Sequence, residues 1–168
     1  LYCLTHCTPN VTQLWLHHYS LFPLEVLSTV GARFQLICLR YGALENRDFI
    51  GSCVSLRALM LQSIDIGDGV FASLSHTIEA LVLTGLSFKG DLSVQFVSML
   101  QRLRSLKSLC LVHHADLRGF DAIGQALSTG CLQLTELEVS FRSTEEFDAL
   151  MSAQFPNLRV LSADIGGG

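Results

Sequence analysis

One short pattern recurs along this chain: an apolar residue, two free positions, an apolar residue, one free position, and a third apolar residue. It reads Val11-Leu14-Leu16, Phe34-Ile37-Leu39, Leu56-Leu59-Leu61 and Ile78-Leu81-Leu83. It continues as Leu106-Leu109-Leu111, Leu134-Leu137-Val139 and Leu158-Leu161-Ala163. The first positions are 23, 22, 22, 28, 28 and 24 residues apart. A Leu-rich chain produces such a triplet once or twice by chance. Seven in near-regular order mark an internal repeat of a length that stacks one unit on the next.

The spacing dictates local structure. The second and third apolar residues are two apart, so both lie on one face of a short strand. Stacked units pair these strands in parallel, and a parallel pair needs a crossover, which the rest of each repeat supplies. Helical spacing recurs in several crossovers: Val94, Val97 and Leu100; Phe120, Ile123 and Leu127; Phe147, Leu150 and Met151. The 28-residue repeats have room for a full helix, and the 22-residue repeats for a short or 3₁₀ helix.

Carried by these triplets, the resemblance is to the leucine-rich-repeat superfamily, and it covers nearly the whole chain. It implies an α/β fold: a right-handed solenoid of about seven repeats of 22–28 residues, with a parallel sheet on the concave face and helices on the convex face. The longer repeats resemble ribonuclease-inhibitor-like proteins. The family pattern places Asn or Cys eight residues after the first apolar position. Here those places hold Tyr19, Gly42, Ile64, Leu86, His114, Arg142 and Gly166. Irregular loops are expected on that edge, as in the divergent intracellular repeats of F-box/leucine-rich-repeat proteins. Residues 1–165 read as one repeat domain and 166–168 as a Gly tail. The chain opens at Leu1 rather than Met, and its first nine residues resemble the tail of an earlier repeat. It therefore reads as part of a longer array whose ends flanking repeats or another subunit cover.

Bulk properties exclude several classes. Apolar residues make up 49% of the chain and charged residues 15%, enough to fill a core and too apolar for general disorder. The net charge of −4 carries no basic footprint for nucleic acid. No apolar run approaches the ~18 residues of a membrane span, and the opening Leu1-Tyr2-Cys3-Leu4 has no basic segment of a signal peptide.

Residues able to carry chemistry are few. Cys53 and Cys131 stand three places before a triplet, a core position. Cys38 and Cys110 occupy free places between inward residues and are expected to face outward, three strands apart. At roughly 14 Å they are too distant for a disulfide. Reduced thiols and an intracellular setting, cytoplasmic or nuclear, follow. Cys3, His6 and Cys7 with the pairs His17-His18 and His113-His114 form the nearest approach to a metal set, but lack the two paired motifs of a zinc site. No metal and no cofactor are expected. Phe22 to Leu27 resembles an F-box opening but reads better as the crossover of the first repeat. Asn10-Val11-Thr12 is a glycosylation triplet without a secretion signal. A His-Asp pair from His113, His114 and Asp116 reads as a solvated loop. With no catalytic constellation, the chain is expected not to be an enzyme.

The remaining candidate is the outward face of the sheet. Alternation places Trp15 and His17 on it from the first repeat, then Arg40 with Tyr41 beside it, then Met60 and Gln62. Val82 and Val112 follow, and Glu136 and Glu138 close the row. An aromatic and basic end thus meets an apolar middle and an acidic end. Trp, Tyr and Arg are the side chains most enriched at binding hot spots. The expected function is binding of a protein or peptide partner on this face. The F-box/leucine-rich-repeat resemblance implies substrate recognition in a ubiquitin ligase. The alternative is a structural or regulatory subunit of a large intracellular assembly, or the sensor portion of an immune receptor.

Overall fold

The computed structural model describes residues 10–18, 27–45, 47–67, 69–88, 93–113 and 117–166. Each triplet forms a strand: β1 (Gln13–His17), β2 (Leu36–Leu44), β3 (Ala58–Ile66), β4 (Ala80–Thr84), β6 (Ser108–Val112), β7 (Glu136–Phe141) and β8 (Val160–Ile165). A two-residue strand, β5 (Ser87–Phe88), pairs with the end of β3. The seven triplet strands lie side by side in chain order, and every pairing is parallel. The register is that of the triplets: Leu14, Ile37, Leu59, Leu81, Leu109, Leu137 and Leu161 are successive partners.

The same hydrogen-bond step joins each repeat to the next. The carbonyl of Thr12 accepts from the N–H groups of Gln35 and Leu36, and that of Gln35 from Arg57 and Ala58. The carbonyls of Arg57, Glu79, Lys107 and Thr135 repeat the arrangement. Backbone polar groups at the start of each strand are thus satisfied by the neighbouring repeat.

Crossover length sets crossover structure. The shorter repeats hold 3₁₀ turns at Gly31–Arg33 and Phe71–Ser73 and the six-residue α1 (Arg47–Ser52). The longer ones hold α2 (Ser93–Arg102) and α3 (Phe120–Gly130), and α4 (Thr144–Met151) follows β7. Their apolar residues share one continuous core with the inward strand residues, so the helices cover that face of the sheet. The stripe on α2 differs from the expected one. Val94 is 70% exposed, and Phe96, Met99 and Leu100 point into the core with Val97 at its margin. The i, i+3, i+4 set beginning at Phe96 buries more apolar surface than the set beginning at Val94. Two glycines let α3 sit close to its neighbours. A Cβ on Gly130 would lie 2.5 Å from Gln101 Cα, and one on Gly124 would lie 2.7 Å from the Leu150 carbonyl oxygen.

The edge beyond the triplets is more regular than expected. His18, Tyr41, Ser63, Gly85 and His113 stand seven places after the first apolar residue, and all five have φ between 50° and 59°. A left-handed residue at this point shifts the side-chain alternation by one. Ile64 and Leu86, eight places along, therefore turn inward and are 1% and 4% exposed. The strands do not break: β2 and β3 stay paired through Gly42 with Ile64 and Leu44 with Ile66. At Ile64 and Leu86 this position is filled by apolar packing. In β7 no such shift occurs. Alternation runs on through Leu137, Val139 and Phe141, and Phe141 packs against Phe120 and Phe147 at ring separations of 5.2 and 5.5 Å.

Candidate protein-binding face

The face of the sheet opposite the helices carries three parallel rows. The middle row runs Trp15, Cys38, Met60, Val82, Cys110, Glu138, Ser162. Beside it run His17, Arg40, Gln62, Thr84 and Val112 on one side, and Gln13, Leu36, Ala58, Ala80, Ser108, Glu136 and Val160 on the other. All ten expected site residues lie on this face or at its margin. The register does not gather them into one pocket; it spreads them along the face.

At the β1–β2 end, Trp15 is 50% exposed and Tyr41 44%, His17 is exposed, and Arg40 is half-buried as the register partner of His17. Tyr41 stands where the backbone turns left-handed, and its ring stacks on His18 with centroids 4.8 Å apart and planes 14° apart. His18 stands among the candidate residues, and alternation misses it. The signal for it is positional, since His18 and Tyr41 both stand seventh in their repeats. Arg40 forms no ion pair among the described residues, and its Nε is buried without a hydrogen-bond partner. A buried N–H left in this state costs about 1–3 kcal/mol.

In the middle, Met60, Gln62, Val82 and Val112 are half-buried. Cys38 corrects an expectation. It points to this face by register but is only 1% exposed, because it sits between the larger Trp15 and Met60 of the same row. At the far end, Glu136 and Glu138 are exposed on β7. The Cys110 thiol is pushed up to about 12 by burial and by the Glu138 carboxylate to which it is hydrogen-bonded. Asp164 adds a third carboxylate on β8.

Cys53 and Cys131 are buried as expected. Each thiol donates to a backbone carbonyl, Phe49 at 3.2 Å and Leu100 at 3.1 Å, and burial pushes them to about 11 and about 12. Such thiols are protonated at neutral pH and poor nucleophiles. Cys38, Cys53, Cys110 and Cys131 are free thiols. Among the described residues no group of three or more His, Cys, Asp or Glu side chains is placed to hold a metal, and no helix is long and apolar enough to cross a membrane. The candidates Cys3, His6, Cys7, His114 and Asp116, and the F-box-like segment up to residue 26, lie outside the described residues.

A depression of about 320 Å³ opens where the strands begin, lined by Gln35, Ser55, Arg57, Thr77, Glu79 and Ser105. Its charges answer one another. Glu79 accepts from Arg57 at 2.5 Å and from Lys107 at 2.7 Å, and these two cations hold its carboxyl below the usual range. It presents little unpaired charge to a ligand, in contrast to Arg40. No protein-family model matches this sequence, and a comparison with curated proteins gives no match.

Proposed function

We propose that the chain is a right-handed leucine-rich-repeat solenoid of the divergent intracellular kind, and that it is a binding module rather than an enzyme. Its partner is a protein or peptide held on the concave sheet face, with no role for nucleic acid or membrane. The observation that carries this reading is the Trp15–Arg40–Tyr41 cluster. Two large aromatic side chains stay near half-exposed, and Arg40, which precedes Tyr41 on β2, forms no ion pair among the described residues, on the face opposite the described helices. Exposed aromatic and Arg clusters of this kind anchor interfaces. Substrate recognition in a ubiquitin ligase is the role that the resemblance favours.

The uncovered inward residues of β8 support a second reading, a repeat array within a larger intracellular assembly or the sensor portion of an immune receptor. Leu161 is 38% and Ile165 42% exposed, so another repeat or subunit laid on β8 would bury them.

The test is affinity capture from native cells with the intact protein and three variants. Trp15→Ala and Tyr41→Ala should lose the captured partner. Val94→Ala, altered on the exposed side of a helix, should keep it. Loss in all three, or in Val94→Ala alone, would move the binding surface to the helices.

A further inference from the structure

The binding face is electrically polar along its length, and this constrains what lies on it. Arg40 stands on β2 with His17 as its register partner on β1, and His18 follows β1 and stacks on Tyr41. Glu136, Glu138 and Asp164 stand on β7 and β8, and none forms an ion pair among the described residues. Between them the three rows on β3, β4 and β6 present Ala58, Met60, Ala80, Val82, Cys110 and Val112 with Gln62, Thr84 and Ser108 and no charged side chain; the exposed Asp65 of β3 lies beyond these rows, level with Ala43 and Ser87. From β2 the charges are four strand steps from β7 and five from β8. At ~4.8 Å per step that is about 19–24 Å.

Charged groups left unpaired at both ends of an uncharged stretch are complementary to a ligand of opposite polarity. The middle adds a second condition. A chain lying extended along the middle row would set its own N–H and C=O groups over Met60, Val82 and Cys110, with only the Gln62, Thr84 and Ser108 side chains of the flanking rows to meet them. An α-helix satisfies its own backbone and lays only side chains on the face. We infer that, if this face is the binding surface, its partner is a helical segment of about 13–16 residues with carboxylates at one end, Lys or Arg at the other and an apolar stripe between. The carboxylate end meets the half-buried Arg40, which has no ion-pair partner among the described residues. The cationic end meets Glu136, Glu138 and Asp164. Trp15 packs beside the first and Met60, Val82 and Val112 under the stripe.

The experiment displays a library of helices of about 16 residues, with the apolar stripe fixed and the charged positions at each end drawn from Glu, Gln and Lys. The library is selected on the whole chain. Selected sequences should carry Glu at one end and Lys at the other, and binding should fall about tenfold in Arg40→Glu and in the double variant Glu136→Lys/Glu138→Lys. Selection on Arg40→Glu should lose the Glu preference at one end, and selection on the double variant should replace Lys by Glu. Arg40→Gln, with its melting curve, separates loss of charge from loss of fold. Selected helices that need Trp15 but show no end preference would overturn the inferred polarity and leave the binding face standing. No selected helix, while Trp15→Ala still loses a captured partner, would overturn the helical partner alone. No selected helix and no effect of Trp15→Ala would overturn both.

Discussion

Two neighbouring residues give the sharpest test of how this sheet is built. Ser63 has φ 52° and is exposed; Ile64, immediately after it, is 1% exposed. Simple alternation from Leu59 and Leu61 would reverse these roles and turn Ser63 inward. Asn is placed at each position in turn. Ile64→Asn removes a buried branched side chain, worth about 1.5–3 kcal/mol. It also buries an amide among apolar neighbours, because the residues at the same place in the adjacent repeats are Gly42 and Leu86, which have no polar side chain. An unsatisfied amide adds about 1–3 kcal/mol, for a total loss near 3–5 kcal/mol. Ser63→Asn stays at the surface in a conformation that Asn tolerates, and should change stability by no more than about 0.5 kcal/mol. Urea unfolding of both variants reads this directly as a shift in midpoint at constant slope. If the two outcomes exchange, the left-handed shift is absent and the inward set is wrong by one residue. If Ile64→Asn costs under about 1 kcal/mol, the loop backbone is accepting the amide, and the apolar packing of this position is refuted.

Three further outcomes follow from the packing. Gly130→Ala should destabilise by about 1–3 kcal/mol despite the better helix propensity of Ala, since the new methyl meets backbone atoms of Gln101 and Leu100; thermal melts check it. Trp15→Ala uncovers at most half of a Trp side chain and should cost no more than about 2 kcal/mol, against about 2–5 kcal/mol for the buried Leu59→Ala; equal losses would place Trp15 in the core. The folded pKa values of Cys53 and Cys131 lie above those of free thiols, so the unfolded chain releases these protons first. Their contribution is complete below about pH 8.5 and declines as pH rises towards 11 and 12, by at most about 1.4 kcal/mol per pH unit for each thiol. The alkaline slope of stability should therefore flatten in Cys53→Ala/Cys131→Ala, and an unchanged slope would refute the assignment.

The strands were legible because a parallel stack repeats one constraint seven times. Leu14, Ile37, Leu59, Leu81, Leu109 and Leu137 all meet a core of the same depth, so the triplet survives in each of these six repeats. Helices were legible less sharply. On α2 both Val94 and Phe96 begin an acceptable helical stripe, and only packing against α3 and the preceding 3₁₀ turn selects the one from Phe96. The turn edge was misread for a definite reason. A left-handed residue leaves almost no compositional signature here, with His, Tyr, Ser and Gly sharing the task. Without that shift, Ile64 and Leu86 look like departures from a polar ladder. With it, they are core residues.

Alternation located the outer face because it needs only the strand period, and it placed Trp15, Arg40, Glu136 and Glu138 on one face from sequence alone. It could not show that Cys38 disappears between Trp15 and Met60, since coverage depends on side-chain size in neighbouring repeats. Nor could it pair His18 with Tyr41, whose stacking requires both residues to have left the strand conformation at the same level of the stack. The stacking also bears on rigidity. A left-handed non-glycine residue carries conformational strain of about 1–2 kcal/mol. At His18 and Tyr41 that strain is offset in part by a ring contact between consecutive repeats. The two rings thereby hold the β1–β2 end in one geometry, with Trp15 and Arg40 on the strands just before them. A partner that uses these side chains as anchors meets a surface already ordered, and gives up less entropy on binding.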